Sequence, residues 1–446
     1  MDFLTDFLSR LEKKYPGEKE YHQSVREVFS SILPAIKEDP STVKEYKILD
    51  RLAESEKTLI FKVEWKDTKG KVHVNKGYRV QHSSLLGPYK GGLRFSKDLT
   101  LSEVKFLAFE QTFKNSLTAL PLGGAKGGAD LDPKGLSADD KEAFCKAYAR
   151  ALSPHIGHDL DVAAGDIGVG EREIGFFVGE LKKLKKRYNP GDLTGKPIHL
   201  EGCALRDEAT GFGAVYFLKN LLEDLKINIE DLSFCLSGFG SVARGAAIKI
   251  TELGGKVLTL SGRDGFMLFK NGLPIEGAKK MKAARNEGLS KKHFAEEFGG
   301  RFFEGISPFG CVAADVYMPC ATQNEIGETE AEGGVKLGLR FLVEGANMPT
   351  TPAGLRVFKK SGVCVLPSKA ANAGGVATSY LEMMQNKQGE SFSIAFVDEK
   401  IKYVMQKIYQ NANEAAERFN LKGDIFAGAN LYAFERLKKA ILSLGT

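Results

Sequence analysis

The stretch Leu232-Ser233-Phe234-Cys235-Leu236-Ser237-Gly238-Phe239-Gly240-Ser241-Val242-Ala243 decides the fold. The apolar run Leu232 to Leu236 predicts a buried strand, the glycines a tight turn, and the residues after them a helix that stops at Gly254-Gly255. A second apolar strand, Lys256 to Ser261, completes the βαβ arrangement of a parallel sheet. Gly238 to Ala243 fits Gly-x-Gly-x-x-Ala, and each position has a mechanical reason. Gly238 permits the turn, Gly240 lets backbone approach a pyrophosphate, and Ala243 allows close helix-to-strand packing while the helix N-terminus faces the phosphates. Alone the motif is weak; between a strand and a helix it points to a dinucleotide held by Gly238, Phe239, Gly240, Ser241 and Val242.

In an NAD site a carboxylate at the end of the second strand accepts hydrogen bonds from the ribose hydroxyls. Here that place holds Ser261 and Gly262, then Arg263 and Asp264. A hydroxyl and a guanidinium suit a 2′-phosphate, so Ser261 and Arg263 favour NADP, with Asp264 keeping NAD open.

Further along, the apolar segments Asp315 to Met318, Phe341 to Val343 and Val363 to Leu366 each run into a polar loop, as in a doubly wound sheet. Upstream, the character changes at the turn Asn189-Pro190-Gly191-Asp192. Before it, Phe3, Leu4, Phe7, Leu8 and Leu11, then Val25, Val28, Phe29 and Ile32, have helical spacing. Leu59 to Trp65 alternates as a strand, and Lys71 to Gln81 is strand-like, giving a mixed α+β first domain. Ile401 to Leu444 reads as amphipathic helices able to pack back across both domains.

With 446 residues, 43% of them hydrophobic, the chain exceeds the size at which a single core usually stops growing. A net charge of +6 over that length is too dilute to predict nucleic-acid binding. Cys145, Cys203, Cys235, Cys311, Cys320 and Cys364 form no Cys-x-x-Cys pair and fit reduced, buried thiols. The acidic start Met1-Asp2-Phe3-Leu4-Thr5-Asp6 is unlike a secretory signal, and no apolar run spans a bilayer, so a soluble cytoplasmic protein is expected, with no membrane partner. His155 and His158 lack further ligands for a metal, and the basic run Lys182 to Arg187 reads as a solvated helix end.

Three lysines stand apart. Lys90 lies in Gly87-Pro88-Tyr89-Lys90-Gly91-Gly92-Leu93-Arg94-Phe95, Lys114 in Phe109-Glu110-Gln111-Thr112-Phe113-Lys114-Asn115, and Lys126 in Gly123-Gly124-Ala125-Lys126-Gly127-Gly128. Glycines beside a lysine are expected to clear a path for a substrate carboxylate. Neighbouring ammonium groups in a partly dry cleft disfavour one another's charge, which tunes one of them to a pKa of about 7 to 8 for catalysis. The carboxylate of Asp166, in Val162-Ala163-Ala164-Gly165-Asp166-Ile167-Gly168-Val169-Gly170, is the expected acid/base partner.

These segments, with Glu208 to Gly213, Pro319 to Asn324, Glu344 to Thr350 and Pro367 to Val376, resemble the signature stretches of the hexameric glutamate dehydrogenases, over most of the chain. The resemblance implies reversible oxidative deamination of L-glutamate to 2-oxoglutarate and ammonia by a homohexamer. Its fold implication is an α/β chain with a substrate-binding and oligomerisation domain at 1–199, a Rossmann-like domain at 200–419, and a C-terminal helix at 420–446 that packs back on the first domain. It also assigns roles. Lys90 and Ser379 bind the distal carboxylate, with Ala164 and Val376 around the methylenes; Lys114 and Gln111 take the α-carboxylate. Lys126 polarises the carbonyl and activates water, and Asp166 moves protons. Arg206 borders the substrate, while Thr210, Ala321, Thr322, Asn347 and Asn372 border the cofactor. Ser241 stands where asparagine is frequent, and Asp207 where proline is common.

Three rivals are set against this reading. A dehydrogenase for apolar amino acids would not need Lys90 and Ser379, a silent nucleotide- or RNA-binding protein would not need Lys126 and Asp166, and a pyridoxal enzyme would leave the dinucleotide loop idle.

Overall fold

The computed structural model describes residues 3–445. The chain opens with the helices Phe3–Lys14 and Lys19–Ser31, which bury Leu4, Phe7, Leu8 and Leu11, and Tyr21, Val25, Val28 and Phe29. That spacing of three and four places each set on one helix face, as the sequence pattern predicts.

A five-stranded sheet follows, built from β1 (Lys57–Lys66), β2 (Val72–Ser83), β3 (Tyr89–Phe95), β4 (Gly124–Ala129) and β5 (Asp161–Gly165), in the order β1-β2-β4-β3-β5. β1, β2 and β4 pair antiparallel, whereas β3 runs parallel to both neighbours. This register sets Lys90 beside Val162 on β5, Leu93 beside Gly127 on β4, and Val80 of β2 beside Lys126. Two of the three lysines therefore sit on adjacent central strands. The third, Lys114, is on the helix Leu101–Leu117, whose Thr100 caps the backbone N–H of Glu103.

The second sheet contains β6 (Ser233–Leu236), β7 (Lys256–Gly262), β8 (Gly265–Leu268), β9 (Arg301–Glu304), β10 (Val316–Met318), β11 (Phe341–Val343) and β12 (Cys364–Leu366), in the order β12-β11-β10-β6-β7-β8-β9. β6, β7, β10, β11 and β12 are parallel, and the order reverses at β6. In such a sheet ligands gather at the carboxyl ends beside the reversal. β8 and β9 turn antiparallel and extend one edge, an addition the sequence pattern does not predict.

The helix Ile425–Leu444 returns to the first sheet's long helix. Ser116 Oγ donates to Ala433 O at 3.0 Å, and Arg436 donates to the carbonyls of Ser116, Ala119 and Leu120 at 2.9 to 3.1 Å. Arg436 thereby satisfies the Ser116 carbonyl in the last turn of Leu101–Leu117, the turn that carries Lys114, and two carbonyls of the chain just beyond it. Among the described residues no helix is long and apolar enough to cross a membrane. The six cysteines are free; Cys145, Cys203, Cys235 and Cys320 are buried, while Cys364 is half-buried and Cys311 is exposed, departing from the buried thiols expected.

Candidate active site

Lys126 and Asp166 meet as the sequence predicts: Nζ lies 3.0 Å from Oδ1. The other carboxylate oxygen accepts from Arg94 Nε at 2.8 Å, and Arg94 in turn pairs with Glu103 at 2.7 Å. Asp166 sits just past the end of β5, with the N–H of Val169 donating to its carbonyl at 2.9 Å, so a tight turn fixes the residue. Burial alone would raise its pKa, but Lys126 and Arg94 outweigh that effect and hold the carboxyl well below the usual range. The resting aspartate is therefore ionised. Burial, aided by Arg94 and Arg79, also lowers the Lys126 pKa against the pull of Asp166.

The other two lysines are tuned in the same direction. Lys90, buried on β3, is lowered to about 7, first by burial and then by Arg206 and Arg79. Lys114 is lowered to about 8, first by burial and then by Lys126. An ammonium that is held in a dry place without its own counter-ion is a receptor for an anion. Arg206 adds to this field, and its buried Nε has no hydrogen-bond partner among the described residues. The hydroxyl of Thr194, fully buried where the chain runs beside β5, is likewise unpartnered. The sequence carries no local signal for Thr194.

The glycines have a different purpose from the one the sequence pattern implies. A Cβ on Gly91 would lie 1.6 Å from the carbonyl oxygen of Ala125, and one on Gly124 would lie 2.0 Å from Thr112 Oγ1. On Gly92 it would meet the Asp166 Cβ at 2.9 Å. These positions are glycine because β3, β4, the long helix and the Asp166 turn are packed against one another, which places the lysines rather than opening a path to them.

From the first sheet the site reaches the second. Lys114 Nζ donates to Asn372 Oδ1, and Asn372 Nδ2 donates to Asn347 Oδ1 at 2.7 Å. Asn347 and Asn372 lie in the segments that follow β11 and β12, so Lys114 and two residues beyond those strands form one chain of contacts. Ala164 is buried on β5 opposite Gly92, and Ser379 is buried and Val376 half-buried on the helix Gly374–Gln388. Gln111 is engaged with Asn115 Oδ1 at 2.7 Å on its own helix. Thr210 lies near Arg206, both within reach of a side chain that Gly375 lacks.

The glycine turn after β6 has the predicted form. Gly238 has φ +90°, a left-handed conformation that favours glycine, and the helix Ser241–Glu252 begins directly after Gly240. Its N-terminus lies at the carboxyl end of β6, as pyrophosphate binding requires. The Gly238 N–H donates to Ser261 Oγ at 3.0 Å and the Ser261 N–H to Gly238 O at 3.2 Å, so Ser261 braces the loop from β7. Phe239 packs edge-on against Phe294, with ring centroids 4.9 Å apart, leaving its backbone rather than its ring to a ligand. Ser241 is exposed and Val242 half-buried. Ala321 and Thr322, exposed after β10, donate their backbone N–H groups to Glu325 at 3.1 and 3.3 Å. The groups present fit a dinucleotide: a helix start behind a left-handed glycine, and a crevice at the reversal of strand order.

Residues 202–445 match the family model described as Glutamate/Leucine/Phenylalanine/Valine dehydrogenase, and residues 55–183 match that of the Glu/Leu/Phe/Val dehydrogenase dimerisation domain. The chain is 43% identical over 446 residues to the NAD-specific glutamate dehydrogenase of Clostridium symbiosum, covering 99% of each. It is 42% identical over 449 residues to the NADP-specific glutamate dehydrogenase of Giardia intestinalis, covering 99% of this chain and 98% of that one. The crystal structure of Plasmodium falciparum glutamate dehydrogenase superposes with a TM-score of 0.96 at 40% identity, over 99% of this chain and 94% of that one.

Proposed function

The chain belongs to the Glu/Leu/Phe/Val dehydrogenase family, and within it we propose that Lys126 and Asp166 carry the reversible oxidative deamination of L-glutamate, with Lys90 and Lys114 as the two carboxylate receptors. The protein is a glutamate dehydrogenase that uses a nicotinamide dinucleotide. L-glutamate, oxidised dinucleotide and water give 2-oxoglutarate, ammonium, reduced dinucleotide and a proton. The observation that carries the assignment of residues is the Lys126–Asp166 contact, with the buried Lys90 and the half-buried Lys114 having no ion-pair partner of their own among the described residues.

A nicotinamide dinucleotide held at Gly238 to Val242 would supply the acceptor for the α-hydride, which can leave only after the substrate ammonium has given up a proton, the one released overall. The chain's own residues do the rest. Lys114, helped by Gln111, and Lys90, with Ser379, fix the two ends of the substrate, while Ala164 and Val376 enclose the methylenes. Arg206 supplies further positive charge. Lys126 polarises the developing carbonyl and orients the attacking water. Asp166 takes the proton from that water and returns it to the departing nitrogen of the carbinolamine. Because Asp166 rests ionised against Lys126 and Arg94, its proton affinity rises as Lys126 turns to the substrate, which times the transfer. Initial rates with glutamate against leucine, each with NAD and with NADP, test this reading; a faster leucine reaction would overturn it.

Selectivity for glutamate rests on Lys90. A buried ammonium left without a carboxylate penalises an apolar substrate, so Lys90→Leu with Ser379→Val is expected to lower the glutamate-to-norleucine ratio of kcat/KM by about 10²-fold. Since the Lys90 pKa is lowered to about 7 and only the ammonium attracts the distal carboxylate, the parent's kcat/KM for glutamate should fall relative to norleucine as the pH rises above that value. An unchanged ratio in the variant sinks the assignment.

We further propose that NADP is preferred, with NAD the alternative. Asp264, the carboxylate that would repel a 2′-phosphate, is held by Lys291 at 2.7 Å. Lys291 Nζ lies 2.6 Å from where a Cβ on Gly262 would be, so it flanks the end of β7 together with the exposed Arg263. Two cations and one neutralised carboxylate favour a phosphate there. Arg263→Ala is expected to reduce kcat/KM with NADP by roughly tenfold and leave that with NAD within about threefold. An NAD preference in the parent, or undiminished NADP use in the variant, would refute the preference. The assembly proposed is a homohexamer, supported by the match to a dimerisation domain at residues 55–183.

A further inference from the structure

Lys196 and Glu382 form an ion pair at 2.6 Å with both side chains fully buried. Lys196 Nζ also donates to Leu193 O and Asn386 Oδ1, each at 2.8 Å, so all three ammonium protons have acceptors. Glu382 accepts in addition from the backbone N–H groups of Gly195 at 2.8 Å and Lys196 at 3.3 Å. A buried pair of this kind is weak as a stabilising device, because desolvating two charges offsets most of their attraction. The roles assigned above to the substrate residues make no use of it.

Its place in the fold is informative. Leu193 bridges Ala163 in parallel, and the Thr194 N–H donates to Ala163 O at 3.0 Å, so this segment extends the first sheet beyond β5. β3 lies on the other side of β5, with Lys90 opposite Val162. Opposed residues share a face, and Val162 packs with Met383, the neighbour of Glu382. Ser379 precedes Glu382 by three residues on the helix Gly374–Gln388, which places both on one side of it. Lys90, Ser379 and Glu382 thus lie on neighbouring elements, close enough for the Glu382 carboxylate to act on the Lys90 ammonium.

Counting charges around Lys90 shows what the pair accomplishes. Asp161 is claimed by Arg79 Nε and Gln81 Nε2, each at 2.9 Å, and Glu382 is claimed by Lys196. Both buried carboxylates whose fields act on Lys90 are therefore engaged elsewhere. The remaining charged groups that act on it, Arg206 and Arg79, are cations.

We propose that Lys196 is a specificity-determining residue: by holding Glu382, it keeps the protein's own carboxylate from occupying Lys90 in place of the substrate's distal carboxylate. The inference rests on the reading of Lys90 as that carboxylate's receptor. Lys196→Met frees Glu382 to pair with Lys90, and the two then neutralise each other. Such an internal competitor excludes glutamate while leaving a substrate with an apolar end unaffected.

The experiment measures kcat/KM for L-glutamate and L-norleucine in the full-length enzyme, with folding and assembly checked by circular dichroism and sedimentation. In Lys196→Met the glutamate value should fall at least about tenfold and the norleucine value should change less than about threefold. Lys196→Met with Glu382→Gln removes the competitor, and the ratio should return to within about threefold of the parent. An unchanged ratio in the single variant, or a double variant no better than the single, overturns the proposal. Should Lys196→Met not fold, Glu382→Gln alone decides: retained or increased glutamate selectivity supports the proposal, and lost selectivity overturns it. Lys90→Leu separates the two readings. If it keeps glutamate selectivity, the role of Lys90 fails; if it loses selectivity while Lys196→Met does not, only the present inference fails.

Discussion

Lys126→Ala is expected to lower kcat by about 10³-fold or more, while the dinucleotide still binds. Lys126 is buried on β4 with its ammonium 3.0 Å from Asp166, so no other residue replaces it when it is truncated. Its charge acts most strongly where a carbonyl oxygen becomes negative, that is, in the transition state, and a group of that kind affects kcat rather than substrate affinity. Lys90 and Lys114 remain to hold the substrate's two carboxylates, so KM should change by no more than about fivefold. The dinucleotide loop, Gly238 to Val242, lies on the second sheet and is untouched. Fluorescence titration with reduced dinucleotide and steady-state rates with glutamate check both halves of the expectation. A kcat within tenfold of the parent would show that Lys126 has another role.

The parts of this arrangement that the sequence displays are those whose cause is local. The β6-turn-helix-β7 unit can be read because its glycine turn, apolar runs and stop signal lie within 31 residues of one another, from Leu232 to Gly262. Lys126 and Asp166 stand out because a charged side chain among small apolar neighbours is unusual in a solvated loop. The glycines beside the lysines could be seen but not interpreted, since the carbonyl of Ala125 that crowds Gly91 arrives from another strand. β8 and β9 are not legible in the sequence because each has four residues and they are separated by two helices, Ile275–Asn286 and Lys291–Glu297. An antiparallel pair so short has no alternation long enough to detect.

Long-range polar pairs are the least legible. Arg94 lies in a quoted motif, yet its bond to Asp166 spans 72 residues, and that of Lys196 to Glu382 spans 186. Nothing in either residue's neighbourhood in the chain announces the partner. The same holds for the chain Lys114–Asn372–Asn347, which links the helix Leu101–Leu117 to the segments that follow β11 and β12. The family resemblance puts Asn372 beside the cofactor, and its side chain also accepts from Lys114 of the first sheet's long helix. Ser261 differs in a related way. Its place at the end of β7 suits a ribose phosphate, but its hydroxyl accepts from the Gly238 N–H, so it also shapes the glycine loop after β6.

Asp166→Asn should be nearly as severe as the loss of Lys126, for a different physical reason. An asparagine matches the aspartate in shape, and its carbonyl oxygen still accepts from Arg94, so the turn and the pocket persist. What is lost is a negative charge and the ability to carry a proton, and the proton transfer alone is worth about 10² to 10⁴ in turnover. Glutamate KM should stay within about threefold of the parent, because neither carboxylate receptor is altered. The substitution also removes the group that raises the Lys126 pKa, while burial and the cations Arg94 and Arg79, which lower it, remain. Lys126 then loses its proton at lower pH, so the alkaline limb of the residual activity should move down in pH rather than up. A merely structural aspartate would lower stability or expression without moving that limb. The decisive measurement is therefore the pH profile of kcat/KM in the parent and in Asp166→Asn: equal turnover, or a limb displaced upward, would remove Asp166 from the chemistry.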